Sequence, residues 1–126
     1  MARSRVKHGN PYRSTLEQKV AAQLPEVVYE TDKISYIVPA SNHKYTPDFK
    51  LPDGSYIEVK GRLLASERKK HLLIQAQHPE IDIKFFFDKS NNKLYKGSPT
   101  TYADWCDKNG FTWTDIKRGL PAEWVK

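Results

Sequence analysis

The sequence from residue 45 to residue 60 reads YTPDFKLPDGSYIEVK and has the pattern of a β-hairpin. Pro52-Asp53-Gly54 at its centre favours a type I turn followed by a glycine in the left-handed region, which together form a three-residue loop with a bulge. Such a loop places Asp48 directly opposite Glu58. Because directly opposed residues share one face of a sheet, we expect the two carboxylates to lie side by side.

The two faces of this hairpin differ in chemistry. Lys60 lies two residues beyond Glu58, so its side chain points to the same face as the carboxylates. The opposite face, which we expect to be the core, takes the apolar residues Phe49, Ile57 and Val59. A two-residue loop would instead put Asp48 and Glu58 on opposite faces, so this expectation depends on the turn type.

The polar face of the hairpin is a candidate metal site. Opposed carboxylates such as Asp48 and Glu58 repel each other unless a cation compensates, and Mg²⁺ binds carboxylate oxygens well. The backbone carbonyl of Val59 lies between the polar side chains and could be a further ligand. Lys60 could orient or help to deprotonate a water that attacks a phosphodiester. Acidic residues are also common on exposed strands, so spacing alone leaves an accidental pairing of Glu58 with Lys60 open.

The other reactive side chains have structural explanations in the sequence. Ser14 and Glu17 form the pattern of a capping box at the start of a helix, which from the residues alone is the favoured role of Glu17. Cys106 has no visible activating base and is expected to be a small buried residue. No metal-ligand spacing connects His43, His71 and His78. The sequence also lacks a glycine-rich phosphate loop, which argues against a nucleotide-driven enzyme.

Positive charge is concentrated in two short segments. The chain has a formal net charge of +6, and residues 1–19 and residues 60–70 each carry +4. Two such segments are expected if they meet a polyanion such as DNA, with chance basic surfaces as the alternative. The candidate phosphate contacts are Arg3, Arg5, Lys7, Arg13, Arg62, Arg68, Lys69 and Lys70.

Length and composition restrict the class of protein. A chain of 126 residues is the size of one domain, and its 38% hydrophobic and 29% charged residues are typical of a globular protein. No apolar run approaches the roughly 20 residues that span a bilayer, and the N-terminus lacks a secretory signal. Cys106 is the only cysteine, so no intrachain disulfide can form, which suits a reducing cytosol. We therefore expect a cytoplasmic protein.

Periodicity and turn signals predict an α/β domain around a mixed sheet. Residues 1–11 are expected to be a flexible basic arm, and residues 12–126 a single domain. Helices are expected over residues 14–24, 66–77 and 101–109, with Gly110 as the stop of the last helix. Strands are expected in the hairpin and over residues 27–29, 34–38 and 81–87, with a last short helical turn at 121–125.

Five blocks of sequence extend the pattern well beyond the hairpin. They are YRSTLEQKV at 12–20, PASNHKYTPDF at 39–49, EVKG at 58–61, RKKHLLI at 68–74 and LYKGSPT at 94–100. Together they resemble the bacteriophage endonuclease I family of Holliday-junction resolvases, within the PD-(D/E)xK nuclease superfamily. The resemblance covers most of the chain, from residue 12 to the segment 121–124. Blocks of this length are more specific than the bare superfamily motif.

The resemblance implies a restriction-endonuclease-like α/β core in an intertwined, segment-swapped homodimer. The two chains would cross over near residues 38–42. Each active site would combine Glu17 of one chain with Asp48, Glu58 and Lys60 of the other, so Glu17 would be a catalytic metal ligand as well as a helix cap. The three carboxylates and the carbonyl of Val59 would hold Mg²⁺, with Mn²⁺ as a substitute. Two ions could stabilise both the attacking and the leaving oxygen.

The implied activity is metal-dependent hydrolysis of branched DNA. A symmetric dimer would resolve a four-way junction by paired nicks near the branch point, leaving 5′-phosphate ends, and would select the junction by its shape. A phage enzyme of this kind would work in the host cytoplasm. Family members continue past the position of Lys126 into a basic tail, so weaker non-specific DNA binding is expected here. The alternatives are a sequence-specific or repair nuclease on the same fold, and a non-catalytic protein that binds bent or branched DNA.

Overall fold

The computed structural model describes residues 12–25, 28–38 and 41–126. The predicted basic arm, with Arg3, Arg5 and Lys7, lies outside these residues. The helices are α1 (Thr15–Ala21), α2 (Ala65–Gln77) and α3 (Tyr102–Asn109), followed by a short 3₁₀-helix (Ala122–Val125). The strands are β1 (Val28–Tyr29), β2 (Ile34–Val38), β3 (Ser41–Tyr45), β4 (Phe49–Lys50), β5 (Tyr56–Lys60), β6 (Ile83–Phe87) and β7 (Trp113–Asp115). None of the helices in the described ranges is long and apolar enough to cross a membrane.

The central sheet is mixed, which confirms the prediction of an α/β domain. Its five strands lie in the order β1-β4-β5-β6-β7. The neighbours β1, β4 and β5 are antiparallel, whereas β5, β6 and β7 run parallel. Parallel neighbours need a crossover connection, which α2 provides between β5 and β6 and α3 between β6 and β7. Strands β2 and β3 form a separate antiparallel pair.

The register of the β4-β5 hairpin is the one expected from its turn. Phe49 pairs with Ile57. The loop closes with a hydrogen bond of 2.8 Å from Leu51 N to Ser55 O, and Gly54 has a φ of +90°. Glycine adopts this left-handed conformation without the strain that a Cβ would add. The three-residue loop is therefore confirmed, and with it the division of the hairpin side chains between two faces.

Both faces of the sheet are covered, so β6 is buried along its whole length. One face contributes Ile83, Phe85 and Phe87 to a core shared with α2, α3 and the β2-β3 pair. The other face contributes Phe86 to a second core beneath α1 and the 3₁₀-helix. The second core contains the hairpin side chains Phe49, Ile57 and Val59, as predicted. A strand that is buried on both sides appears in the sequence as a nearly continuous apolar run.

Helix α1 differs from its prediction in length and in capping. It ends at Ala21 rather than near residue 24. Ser14 Oγ accepts a hydrogen bond of 3.0 Å from Glu17 N, which confirms half of the capping box. The other half is wrong, because Glu17 Oε1 accepts from Arg13 N at 2.9 Å instead of from the cap residue. Glu17 is also only 8% exposed, which is unusual for a helix-capping carboxylate.

Strands β3 and β7 were not predicted. Four of the five residues of β3 are exposed, so no apolar alternation marks it as a strand, and β7 has only three residues. β3 pairs with β2 along its length, from Ile34 opposite Tyr45 to Val38 opposite Ser41. The paired residues Val38 and Ser41 lie within the segment 38–42, where a crossover between two chains was expected.

The β2-β3 pair is fastened to the end of α2 by polar side chains. The Gln77 side-chain amide donates to Ile37 O and accepts from Ile37 N, both at 2.7 Å. The next residue, His78, places its Nε2 against Ser35 O. Ile37 is 56% exposed, so hydrogen bonds rather than burial hold this part of β2.

Candidate functional site

The hairpin brings together the three side chains predicted at the centre of the site. Lys60 Nζ lies 3.1 Å from Glu58 Oε2. Asp48 precedes β4, where the two hairpin strands separate, and its Oδ2 accepts a hydrogen bond of 2.8 Å from Val59 N. Asp48 is 9% exposed and Glu58 is 5% exposed. Both carboxylates are therefore largely shielded from water. They are near enough for the charge of Glu58 to act on Asp48, and Lys60 lies beside Glu58.

The backbone of Val59 faces Asp48 because of the hydrogen-bond pattern of β5. Tyr56 N and Lys60 O are bonded to the segment that contains β6. Backbone groups point alternately to the two edges of a strand, so the N–H and C=O of Val59 point to the other edge. The Val59 carbonyl, which was predicted as a ligand, thus lies on the same edge as the Asp48 carboxylate.

The electrostatics of this pair of acids favour a bound cation. Burial, and then the negative charge of Glu58, raise the pKa of Asp48 from 3.8 to about 9, while the N–H of Val59 acts in the opposite direction. Burial also raises the pKa of Glu58, against the lowering effects of Lys60 and the Tyr45 hydroxyl. Buried carboxylates that resist ionisation, together with a backbone carbonyl, form an all-oxygen donor set that suits Mg²⁺ or Mn²⁺.

Glu17 lies beside Asp48 in the same chain. One carboxylate oxygen each of Glu17, Glu30 and Asp48 lie within 4.8 Å of one another. Tyr29 OH donates a hydrogen bond of 2.6 Å to Glu17 Oε1, and burial together with this bond raises the pKa of the Tyr29 hydroxyl. Glu30 N donates to Asp48 O at 3.1 Å, which ties the two segments together. Glu17 is therefore close enough to join the ligand set of Asp48.

A second cluster lies on the α2 side of Glu58. Ligand atoms of Glu58, Glu67 and His71 lie within 4.8 Å of one another. Lys60 Nζ donates to Glu67 Oε1, and Lys70 Nζ lies 3.1 Å from the same oxygen. Burial acts to raise the pKa of Glu67, but the hydrogen bonds from the two lysines outweigh it and lower the pKa to about 2. Glu67 is therefore ionised at neutral pH.

Tyr45 and His71 complete the inner wall of this cluster. Tyr45 OH donates a hydrogen bond to Glu58 Oε1. His71 is fully buried, and its Nε2 is 3.9 Å from Glu58 Oε2. Burial, and then the charges of the neighbouring lysines, lower the pKa of His71 to about 3, so the imidazole is neutral. Neither ring nitrogen has a hydrogen-bond partner among the described residues.

The predicted phosphate contacts within the described residues fall into two groups. Arg13, Arg62 and Lys69 are exposed, and the Arg13 guanidinium lies 3.8 Å from Glu30. Arg68 instead donates to Leu63 O at 2.8 Å. Lys70 is engaged with Glu67 and lies 5.0 Å from the centre of the Tyr45 ring. Of the exposed group, Arg13 thus faces Glu30 of the acidic cluster, whereas Arg62 and Lys69 form no ion pair among the described residues.

Further basic residues lie at the same edge of the sheet as Lys60. Strands β5, β6 and β7 are parallel, so their carboxyl ends meet at one edge, and Lys60 pairs there with Phe87, which in turn pairs with Asp115. The loops that follow these three strand ends carry the exposed cations Arg62, Lys89, Lys117 and Arg118. Of these, only Arg62 was predicted as a phosphate contact. These cations lie at one edge because of the strand order, which cannot be read from any local sequence motif.

Glu67, His71 and Tyr45 were not predicted as site residues, although each left a signal in the sequence. Glu67 is the only acid in the basic segment 60–70. His71 follows Glu67 by four residues and so lies on the same face of α2. Tyr45 begins the hairpin stretch, three residues before Asp48. The sequence does not show how α2 packs against β5, and this packing decides which acidic residue contacts which lysine.

The sequence is similar to two phage nucleases. It is 51% identical over 119 residues to "Endonuclease I" of Escherichia phage T7, which covers 91% of this chain and 78% of that protein. It is 50% identical over 127 residues to "Endodeoxyribonuclease 1" of Enterobacteria phage T3, which covers 98% of this chain and 82% of that protein. A sequence model described as phage endonuclease I matches residues 1–126. The family resemblance of the five sequence blocks is thus confirmed, and the chain belongs to the phage endonuclease I family.

Proposed function

We propose that this chain is a metal-dependent DNA endonuclease that resolves four-way junctions by paired nicks near the branch point, leaving 5′-phosphate ends. The observation that carries the proposal is the arrangement of the hairpin, in which Asp48 accepts from Val59 N, Lys60 pairs with Glu58, and the charge of Glu58 acts on Asp48. The printed names of the two phage relatives, an endonuclease and an endodeoxyribonuclease, support DNA as the substrate. The mixed sheet is compatible with a restriction-endonuclease-like core.

The proposed cofactor is Mg²⁺, with Mn²⁺ as a substitute. Asp48, Glu58, Glu17 and the carbonyl of Val59 would hold it. Such a cation would polarise the scissile phosphate and make water a better nucleophile at neutral pH. The raised pKa of Asp48 supports the fit, because a bound divalent charge would offset the burial and the repulsion by Glu58 that keep this carboxyl protonated.

Lys60 acts as a cation in this proposal. Burial acts to lower its pKa, but the carboxylates of Glu58 and Glu67 outweigh burial and raise the pKa above its usual value. The ammonium group is therefore charged at neutral pH. It would offset the negative charge that grows on the phosphate and orient the attacking water. A charged ammonium cannot accept a proton, so this favours the orienting role over that of a general base.

The proposed assembly is a segment-swapped homodimer with Glu17 supplied by the partner chain. The contact between Glu17 and Asp48 seen within one chain would form equally between two chains, because an exchanged element keeps its contacts. The crossover between the two chains would then lie at residues 38–42. Two equivalent sites suit a four-way junction, in which two strands of matching polarity are cut.

The proposed DNA path follows the exposed cations around the site. It includes Arg13, Arg62 and Lys69 and the loop residues Lys89, Lys117 and Arg118. The predicted contacts Arg3, Arg5 and Lys7 of the N-terminal segment, outside the described residues, would add to it. Contacts to phosphates position a duplex without reading its bases, so selection would depend on the shape of the junction. Because the relatives are phage proteins, the proposed reaction takes place in the host cytoplasm.

Cleavage of an immobile four-way junction, compared with a linear duplex of the same sequence, tests the proposed function. In Mg²⁺ we expect paired nicks near the branch point, little cutting of the duplex, and no cutting in EDTA. The variant Glu58→Gln should retain junction binding and lose cleavage, because the amide keeps the shape of the side chain but loses its charge.

The other outcomes separate the rival functions. Equal cutting of both substrates would retain the metal site and overturn junction selectivity, in favour of a general or repair nuclease. Tight junction binding without cutting in Mg²⁺ or Mn²⁺ would favour a non-catalytic DNA-binding protein and overturn the assignment of Asp48, Glu58 and Lys60.

A further inference from the structure

Lys60 is held between carboxylates from two different elements. Its Nζ lies 3.1 Å from Glu58 Oε2 on its own strand, and it donates a second bond to Glu67 Oε1 on α2. The side chain of Lys60 is 14% exposed and that of Glu67 is 27% exposed. A lysine has a flexible four-carbon stem, so a single partner fixes the ammonium poorly. Two partners on different elements restrict both its position and its direction.

The cluster of Glu58, Glu67 and His71 is better explained by ion pairs than by a metal ion of its own. Lys60 Nζ already contacts both carboxylates, and Lys70 Nζ lies 3.1 Å from Glu67 Oε1. A cation placed among these three residues would have to displace an ammonium group. Glu67 therefore forms ion pairs with the two lysines, whereas Asp48 and Glu58 belong to the proposed ligand set.

Glu58 alone could not hold Lys60 while it binds a divalent cation. Charge that Glu58 donates to the cation weakens its attraction for the ammonium, and the cation itself repels the ammonium at short range. Glu67 lies outside the ligand set formed by Asp48, Glu58 and Glu17, so its attraction for Lys60 persists when the cation is bound. The arrangement keeps the ammonium at the edge of the site instead of releasing it to solvent.

We infer that Glu67 is a positioning residue for the proposed reaction, which holds Lys60 in place beside the metal-binding carboxylates. The inference rests on the proposed function, since it gives Glu67 no role except through Lys60. Glu67 touches neither the proposed cation nor the scissile phosphate. The structural alternative is that Glu67, in the first turn of α2, only stabilises the positive end of the helix dipole.

A double-mutant cycle with Lys60 separates these roles. The variants are Glu67→Gln, Lys60→Ala and the two combined, with Glu80→Gln as the matched control because the Glu80 side chain is 70% exposed. Cleavage of the four-way junction is measured in single turnover with enzyme in excess. We expect Glu67→Gln to lower the rate roughly 10- to 100-fold, as removal of a partner of an active-site group commonly does. Glu80→Gln should leave the rate unchanged.

The decisive expectation is non-additivity. In the Lys60→Ala background, Glu67→Gln should cause no further loss, because the group that it positions is gone. Junction affinity, the Mg²⁺ concentration for half-maximal rate and the melting temperature should change little in Glu67→Gln. The variant Glu67→Asp, which keeps the charge, should recover part of the rate.

Each contrary result points to a different error. A wild-type rate in Glu67→Gln, or a full further loss in the Lys60→Ala background, would overturn the inference. A large rise in the Mg²⁺ requirement would also overturn it, by making Glu67 a metal ligand. A wild-type rate in Lys60→Ala would instead overturn the proposed role of Lys60 itself, whatever the behaviour of Glu67.

Discussion

Burial of Asp48 beside Glu58 links the chemistry of the site to the stability of the protein. Folding raises the pKa of Asp48 from 3.8 to about 9. The folded state therefore binds a proton that the unfolded state releases, and without a metal its stability falls as the pH rises from about 4 to about 9. A metal ion reverses this cost by favouring the ionised form. The same carboxylate that weakens the metal-free protein is thus suited to bind a cation.

Asp48→Asn should consequently stabilise the metal-free protein while it abolishes cleavage. Asparagine matches the shape of the protonated acid and never ionises, so in EDTA at pH 8 we expect a gain of roughly 1–3 kcal/mol, or a few degrees in Tm. The gain should shrink towards pH 4 and level off above about pH 9. Thermal unfolding across this pH range measures it, with the exposed acid variant Asp88→Asn as a control that changes little. A less stable Asp48→Asn protein at pH 8 would contradict the account.

At the scale of elements, the β4-β5 hairpin depends on two separate determinants of register. One is the turn, in which Gly54 has a φ of +90° and an added Cβ would meet no atom within 4 Å. The other is burial, since Phe49 and Ile57 are both inaccessible to solvent. A shift of the register by one residue would move these side chains out of the core. Burial therefore maintains the register even when the turn is strained.

Gly54→Ala should therefore lower stability and spare activity. Alanine disfavours the left-handed region, and we expect a loss of roughly 1 kcal/mol in the free energy of unfolding. Gly54→Asn should lose less, because asparagine tolerates this conformation. Denaturant unfolding measures stability, and the junction-cleavage rate should stay within about twofold of wild type. A collapse of activity in a folded Gly54→Ala protein would show that the turn alone sets the register.

The elements that could be predicted are those whose turns or ends are determined by local residues. The hairpin was marked by Pro52-Asp53-Gly54, and α3 by Gly110, which caps it with a φ of +78°. β3 could not be predicted, because its exposed polar residues are held by pairing with β2 and not by burial. The residues of the site likewise fall into those determined by local sequence and those determined by tertiary packing. Asp48, Glu58 and Lys60 follow from one turn, whereas Glu67 reaches Lys60 only because α2 packs back over β5.

At the scale of the whole molecule, strand order gathers positive charge at one edge. Lys89 and Lys117 follow the carboxyl ends of β6 and β7 and so lie on the same edge as Lys60. Lys108 is also exposed, but it lies in the last turn of α3, which leads to the amino end of β7 at the opposite edge. The two positions allow a comparison between cations of equal charge on different edges.

The double variant Lys89→Ala, Lys117→Ala should weaken junction binding and flatten its dependence on salt. Each lost phosphate contact removes about one unit from the slope of log K against log salt, so we expect a decrease of about 2. Binding in EDTA over a series of NaCl concentrations, in the Glu58→Gln background, measures the slope. Lys108→Ala should leave it unchanged. If both variants reduce the slope alike, net charge rather than this edge governs binding.

Mixed dimers test whether the site is assembled from two chains. A Glu17→Ala chain and a Lys60→Ala chain are each expected to be inactive. If segments are exchanged, a mixed dimer has one site that lacks both groups and one that has both, so an equal mixture that is unfolded and refolded together should recover about a quarter of the wild-type sites. Each active mixed dimer should nick one strand of a junction and not the matching strand. If every site is built within one chain, as the contact between Glu17 and Asp48 also allows, the two defects stay in separate sites and mixing recovers nothing.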